Sequence, residues 1–370
     1  MLASVLKPIN DTRMYGKLSL SLAKLPHAQI HLAGYQAPLP PAPDNLHFHP
    51  LFKFKRLSLK RFLAPLRFLK LLFKISPQVV IVGTHELIWV TLIYKIYRRC
   101  DLVYDVRENY YLNLKSQKVY VPVISHFLAF AIRGIERLAA PFVKQFLLAE
   151  KSYAGQLPFL QSKYLVLENK YQPKYPALVN PPVATGVKLS TPKVQLLYTG
   201  TISELYGVFE AVALCQALNQ VAPGYVLTIM GYCPQTEVLQ RLKNIISGDG
   251  RITLIGGDYL VPHHLILEVI SESHVGLLPY HPHPSTAGCI PTKLYEYIAQ
   301  SLPVIVAENT LWENLVNQFQ AGIVVDFNHY QATDIHAQLH QQTFYAGKDL
   351  TPAYWVSEEK KLLDWANTTI

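Results

Sequence analysis

The sequence predicts an α/β protein built from two doubly wound parallel-sheet domains. Length, rhythm and the character of the apolar runs carry that expectation. The chain has 370 residues, which suits two domains of roughly 150–200 residues each. From residue 194 onward short apolar runs alternate with helix-like segments, the pattern of a parallel sheet with crossover helices. The runs are continuously apolar rather than two-periodic, as befits strands covered on both faces.

Taken in order, the strand candidates of the first half are ASVLKPI, QIHLAGY, PQVVIVGT, DLVYDVRE, QFLLAE and YLVLEN. The proline-rich stretch Tyr35–Pro50 reads as a loop. Residues 1–175 form the expected first domain, and the proline-rich residues 176–192 read as a linker. The second domain, 193–353, carries the strands VQLLYTG, YVLTIMG, RITLIGG, HVGLLPY, LPVIVAE and GIVVDF. Between them fall the helical segments GVFEAVALCQAL, TEVLQRLKNII, PHHLILEVISE, PTKLYEYIAQ and LWENLVNQF. The last residues, 354–370, read as an amphipathic helix with Ser357 as N-cap, expected to pack back on the first domain. Two such domains are expected to face each other across a cleft, with ligands at the carboxyl ends of the strands.

Composition narrows the function classes. Half the residues are hydrophobic and only 16% are charged, which excludes a disordered, solvating chain. No heptad run or 20–50-residue repeat is visible, which excludes coiled coils and solenoids. The four cysteines, Cys100, Cys215, Cys233 and Cys289, form no CxxC pair, which fits a reducing, cytoplasmic setting. The start, MLASVLKPIN, lacks the pattern of a signal peptide. The longest apolar run, Val121–Ile132, is too short to span a bilayer. Charge is uneven: residues 1–185 hold 25 Lys+Arg against 9 Asp+Glu, a net +16, and residues 186–370 carry a net −7. The densest basic stretch, Lys53 to Lys74, interleaves eight cations with Leu and Phe at helical spacing. It reads as a peripheral contact with an anionic membrane, or as an ordinary surface helix.

The most informative segment is Pro284–Asn309, PSTAGCIPTKLYEYIAQSLPVIVAEN. A loop containing Gly288 leads to Pro291, a residue favoured at helix starts. The N-terminus of that helix is an anion site, Lys293 adds a full charge, and Glu296 follows about one turn later. A phosphate at the helix start with sugar hydroxyls near Glu296 describes a nucleotide. A plain crossover helix with solvated Lys and Glu is the alternative.

This segment resembles the C-terminal signature of GT-B-fold retaining glycosyltransferases of family 4. Leu196–Leu218 resembles that family's first C-domain strand, glycine loop and helix, and the strands at Met230-Gly231, Gly276–Tyr280 and 321–326 fall in the expected order. The resemblance implies a nucleotide-sugar donor as co-substrate, no other cofactor and no metal. It implies donor-binding roles for Gly200, Thr201, Gly231, Thr292, Lys293 and Glu296, with Lys293 also stabilising the leaving diphosphate. It places Lys7, Asp11, Arg13 and His85 on the acceptor side, and Arg107 and Glu108 at the catalytic centre. The acceptor implied is lipid-linked or a glycan, in bacterial surface polysaccharide or glycolipid synthesis. The chain departs from the family pattern in three places. Gly288 stands where the first Glu of its Glu-x7-Glu pattern falls, Arg107 where His is common, and Thr201 and Tyr206 where a basic pair often follows the glycine loop.

Other motifs are missing. There is no Asp-x-Asp, Gly-x-Ser-x-Gly, Walker loop or Gly-x-Gly-x-x-Gly, which weighs against hydrolase, NTPase and dehydrogenase chemistry. Histidines 263, 264, 281 and 283 have no carboxylate or cysteine at metal-ligand spacing. No nucleic-acid-binding signature is present. Two competing functions remain: a nucleotide-sugar epimerase of the same fold, with Asp11 and Glu108 as acid and base, and a non-catalytic GT-B scaffold.

Overall fold

The computed structural model describes residues 1–54, 59–116, 121–173 and 184–369. The chain divides into two compact units, one of residues 1–172 with 355–370 and one of residues 173–354. Residues 176–183 of the expected linker lie outside the described residues. Residues 184–192 that follow them join the second unit, where Val187 bridges Phe344 and Leu189 is buried.

The first unit opens with β1 (Leu2–Pro8), a π-helical stretch at Thr12–Ser19, the short α1 (Leu20–Leu22), β2 (Ile30–Tyr35) and β3 (Leu46–Phe52). Next come α2 (Ala64–Ile75), β4 (Val79–Val82), α3 (Glu86–Tyr97) and β5 (Asp101–Val106). Then α4 (Tyr110–Ser116), α5 (Pro122–Ala139), β6 (Val143–Leu148), α6 (Tyr153–Gln156) and β7 (Tyr164–Val166) follow. The sheet order is β3-β2-β1-β4-β5-β6-β7, and every pairing is parallel.

That order fixes which helices share a face. The connections through α2, α3 and α5 all run across the sheet in one direction, and the connection from β1 to β2 runs in the other. Right-handed crossovers therefore put α2, α3 and α5 on one face and the π-helical stretch with α1 on the opposite one. Side chains agree: Tyr104 on β5 donates to Glu136 on α5, and its strand neighbour Val103 packs on the other side with Met14, Leu18 and Trp355.

The second unit runs β8 (Val194–Thr201), α7 (Val208–Val221), β9 (Tyr225–Tyr232), α8 (Thr236–Ile246), β10 (Ile252–Gly257) and α9 (His263–Glu272). It continues with β11 (Val275–Leu278), α10 (Thr292–Ala299), β12 (Val304–Ala307), α11 (Thr310–Phe319), β13 (Gly322–Val325) and α12 (Ala332–Gln341). Its sheet is also parallel, in the order β10-β9-β8-β11-β12-β13. The winding reverses between β8 and β11, so the carboxyl ends of those two strands flank its binding crevice. The final helix, α13 (Val356–Thr369), belongs to the first unit.

The fold class expected from sequence is the one observed. Two local readings change. The stretch read as a loop runs into β3, whose single proline, Pro50, is tolerated because β3 is an edge strand needing hydrogen bonds on one side only. Ser357 is not the N-cap of the last helix, which has already begun at Val356; its hydroxyl instead accepts from Lys170 Nζ at 3.1 Å.

Candidate active site

In the second unit the sequence-predicted donor residues gather around the start of α10. Its N-cap is Pro291, which offers no side-chain acceptor to the first-turn N–H groups. Those groups and the helix dipole form an anion-binding end. The loop before it is tied down from α11, where Trp312 Nε1 donates to Cys289 O at 2.8 Å and Asn309 Nδ2 to Ala287 O at 3.0 Å. A cavity of about 270 Å3 opens beside this loop, lined by Tyr280, His283, Thr286 and Glu308 among others.

Lys293 reaches from α10 back to β8, where its ammonium donates to the carbonyl of Thr199. The rings of Tyr198 and Tyr280 stand 5.3 and 5.4 Å from Nζ. This apolar enclosure desolvates the ammonium and draws its pKa down to about 8, with the nearby Glu296 carboxylate acting in the other direction. Gly200 makes room for the contact: a Cβ there would lie 2.7 Å from Nζ. Gly231 pairs with Gly200 in register, and a Cβ on it would fall 1.7 Å from Gly200 O. Two adjacent strands therefore end in bare backbone beside the lysine. Thr201 follows exposed at the end of β8, and Thr292 is the first residue of α10.

Glu296 is 7% exposed on α10, and its Oε1 is 2.8 Å from Nε2 of His263 at the start of α9. Its second oxygen makes no hydrogen bond among the described residues. Tyr206 stands where the family pattern often has a basic residue, and its ring packs 4.6 Å from that of Tyr280. Position 288 is glycine, so no carboxylate stands there.

In the first unit the predicted residues cluster at the carboxyl ends of β1, β4 and β5. Asp105, on β5, binds two arginines: Arg13 through Nε and NH2, and Arg107 through Nε at 2.9 Å. Arg107 also donates to Asp11 Oδ1 at 2.9 Å. Asp11 in turn caps the π-helical stretch by accepting from Met14 N at 2.8 Å. Burial by itself would raise both aspartates, but the guanidinium of Arg107, joined at Asp105 by Arg13, outweighs it and holds both carboxyls below their usual value. The same ion pairs raise Arg107 despite its own burial. Gly83 on the neighbouring segment leaves space for this guanidinium; a Cβ there would approach its Nε to 3.1 Å.

Arg13, expected on the acceptor side, is closed off from solvent. It is 4% exposed, and its remaining donors go to Leu167 O and Asn169 Oδ1. Lys7 and Glu108 are part-exposed and 3.6 Å apart. His85 precedes α3, edge-on to Tyr110, with its Nδ1 buried and unpartnered. Burial lowers its pKa more than the adjacent Glu86 raises it. The structure thus brings Lys7, Asp11, Arg107 and Glu108 together in one unit, and Gly200, Gly231, Lys293 and Glu296 in the other.

Sequence reading missed Asp105, His263 and the two tyrosines around Lys293. Asp105 left a signal, a carboxylate between the apolar residues of a strand. His263 was weighed only as a metal ligand; it pairs with Glu296, and His281 pairs with Glu210 at 2.9 Å.

No protein-family model matches the chain, and no curated protein matches its sequence. Solved structures do match over essentially the whole length. Sucrose-phosphate synthase from Thermosynechococcus elongatus superposes with a TM-score of 0.66 at 15% identity, covering 99% of this chain and 98% of that one. WaaG, a glycosyltransferase involved in lipopolysaccharide biosynthesis, gives 0.63 at 12% identity over 100% and 96% of the two chains. Anabaena HepE in complex with UDP-glucose gives 0.62 at 13% identity, covering 100% of both chains. Both doubly wound units are spanned by these likenesses, and the fold of the chain is the two-domain GT-B fold those glycosyltransferases share.

Proposed function

We propose that the chain is a glycosyltransferase that moves a sugar from a nucleotide-sugar donor to a lipid-linked or glycan acceptor with retention of configuration. The observation that carries this reading is the start of α10. A lysine ammonium, an uncapped helix N-terminus and the bare ends of β8 and β9 converge there, with Glu296 one turn further on. That set matches a diphosphate followed by a ribose. One neighbour of this fold, Anabaena HepE, was solved both with UDP and with UDP-glucose, which supports a nucleotide sugar as the donor class.

In this reading Lys293 and the dipole of α10 stabilise the charge growing on the departing diphosphate. The acceptor hydroxyl attacks on the face the diphosphate leaves, and a donor phosphate oxygen takes its proton. Lys7, His85 and Glu108 hold the acceptor, while Arg107 keeps Asp11 and the loop after β1 in place. No divalent metal is required, because the phosphate charge is met by Lys293 and backbone N–H groups. The protein works in the cytoplasm, attached peripherally to the membrane through residues 53–74, in surface polysaccharide or glycolipid assembly. A second reading, a non-catalytic scaffold, draws on Tyr206, which fills a basic position with a ring.

Titration calorimetry with UDP and UDP-glucose tests the donor site. Binding that survives EDTA is the expected result. No heat with either ligand, or with a wider panel of nucleotide sugars, would leave the scaffold. Turnover lost to EDTA and restored by magnesium or manganese would overturn the metal-free mechanism.

A further inference from the structure

Among the described residues most of the large apolar side chains that stand in solvent belong to the first unit, and 11 of its 17 are on α2, α3 and α5. On α3, Ile96 is 80% exposed, flanked by Trp89, Ile93 and Tyr97. On α5, Val123 is 82% and Phe127 73% exposed. Phe130 and Leu138 continue that stripe along a helix about 27 Å long. On α2, Leu66 and Phe73 are exposed. These three helices cover the same face of the sheet, and α3 lies against α2, with Phe73 and Tyr97 in ring contact at 6.1 Å.

Charge on this face has one sign. The sequence of α2 contains no carboxylate. The only one on α3, Glu86, is paired with Arg61, and the only one on α5, Glu136, lies buried against Tyr104. The charges that point outward are Arg67, Lys70 and Lys74 on α2, Arg137 on α5, and Arg98 and Arg99 just after α3. Aliphatic and aromatic groups ringed by cations are the chemistry of a surface that enters the headgroup region of an anionic bilayer. A second copy of the same face would bring its cations against these. A nucleic acid would meet the cations but leave Ile96, Val123 and Leu138 without gain.

We propose that the outer faces of α2, α3 and α5 together form a seat for an anionic lipid bilayer, with apolar side chains of α3 and α5 entering it. This deepens the attachment proposed for residues 53–74 and rests on that part of the reading; the new content is that the contact extends to α3 and α5. Among the described residues no helix is long and apolar enough to cross a membrane, so the contact is interfacial.

Flotation of the full chain with phosphatidylglycerol-containing vesicles at low salt tests it. Ile96→Glu with Phe127→Glu should cut vesicle binding about tenfold or more. Both sites are exposed, so circular dichroism and UDP-glucose affinity should not change. Arg67→Gln, Lys70→Gln and Lys74→Gln form the comparison set. If only that set lowers binding, attachment through 53–74 stands and the wider seat is overturned. If wild type ignores the vesicles, both are overturned. A labelled RNA oligonucleotide retained instead would assign a nucleic acid, and self-association abolished by the double variant would assign a second copy. Trp89 is the one tryptophan on this face, and it provides a reading that needs no destabilising change. Its emission should shift to the blue on the vesicles, and Trp89→Phe should remove the shift. Vesicle-bound protein with no such shift overturns the seat.

Discussion

At the scale of single residues, Lys293 sits where an ammonium is costly to keep and useful when an anion arrives. The ordinary value for its pKa is 10.5 and burial draws it to about 8. At neutral pH the group is charged and ready for a diphosphate. As pH rises through about 8 the free protein loses that proton, and binding of the proposed donor must restore it. Donor affinity is therefore expected to fall between about pH 8 and pH 10, with proton uptake visible as a buffer-dependent heat in calorimetry. The effect on folding has the opposite sense: between the two pKa values the unfolded chain holds more protons, so this group's contribution to stability rises with pH. Lys293→Met should weaken nucleotide binding and flatten its pH dependence; a profile unchanged by the substitution would remove Lys293 from the donor site. Glu296 makes a separate test. Its carboxylate is bonded to His263 on one oxygen only, so a ribose hydroxyl has an acceptor to use. Glu296→Ala should cost about 1.5–3 kcal/mol of nucleotide affinity, the value of a charge-assisted hydrogen bond lost from a buried site. Unchanged affinity in a folded variant would place the ribose elsewhere.

At the scale of elements, the turn from β1 into the π-helical stretch is held by charge rather than by apolar packing alone. Asp11 caps that stretch and neutralises Arg107, so Asp11→Ala removes a cap and leaves a buried guanidinium with one partner. A loss of about 2–4 kcal/mol in urea denaturation is expected. Asp11→Asn keeps an acceptor for Met14 N and should recover part of it. Both Asp11 and Asp105 have depressed pKa values, so their stabilisation is present above the usual carboxylate range and is lost as pH falls through the lowered values. Flattened acid unfolding in Asp105→Asn would confirm the link; unchanged acid unfolding would contradict it. This network was not legible in the sequence. Arg13 and Asp105 lie 92 positions apart, and nothing local marks them as partners. The strands of the second unit were legible, because a parallel strand covered on both faces must be apolar throughout. β3 was not: its histidines and Pro50 interrupt the apolar run, and an edge strand tolerates that. The start of α10 could be read because proline, lysine and glutamate fall within six residues, whereas the tyrosines that enclose Lys293 come from β8 and from the segment after β11.

At the scale of the whole molecule, the chain leaves its first unit, builds the second, and returns for one helix. That return joins the core of the first unit. Trp355 is 1% exposed among Met14, Leu18 and Leu22, and its Nε1 donates to Ser21 Oγ at 2.9 Å. Leu362 and Ala366 of α13 pack in the same cluster. Glu358 is fully buried and meets Lys170 at 2.6 Å, while Glu359 accepts from Lys24 at 2.7 Å. The side of the sheet opposite the proposed lipid seat is thus closed by residues from the far end of the chain, Trp355 meeting Ser21 and Glu359 meeting Lys24 across more than 330 positions. Trp355→Ala opens a cavity in that cluster and takes the indole donor from Ser21 Oγ, whose own hydrogen bond to Glu359 Oε1 remains, and should cost the first unit about 3–5 kcal/mol. The second unit has its own sheet and core, so its unfolding should not move. Differential scanning calorimetry of the full chain should then show one transition shifted down and another in place, with the unshifted one still raised by UDP-glucose. A single transition that moves as a whole would mean that the two units unfold together, and that α13 stabilises the entire chain.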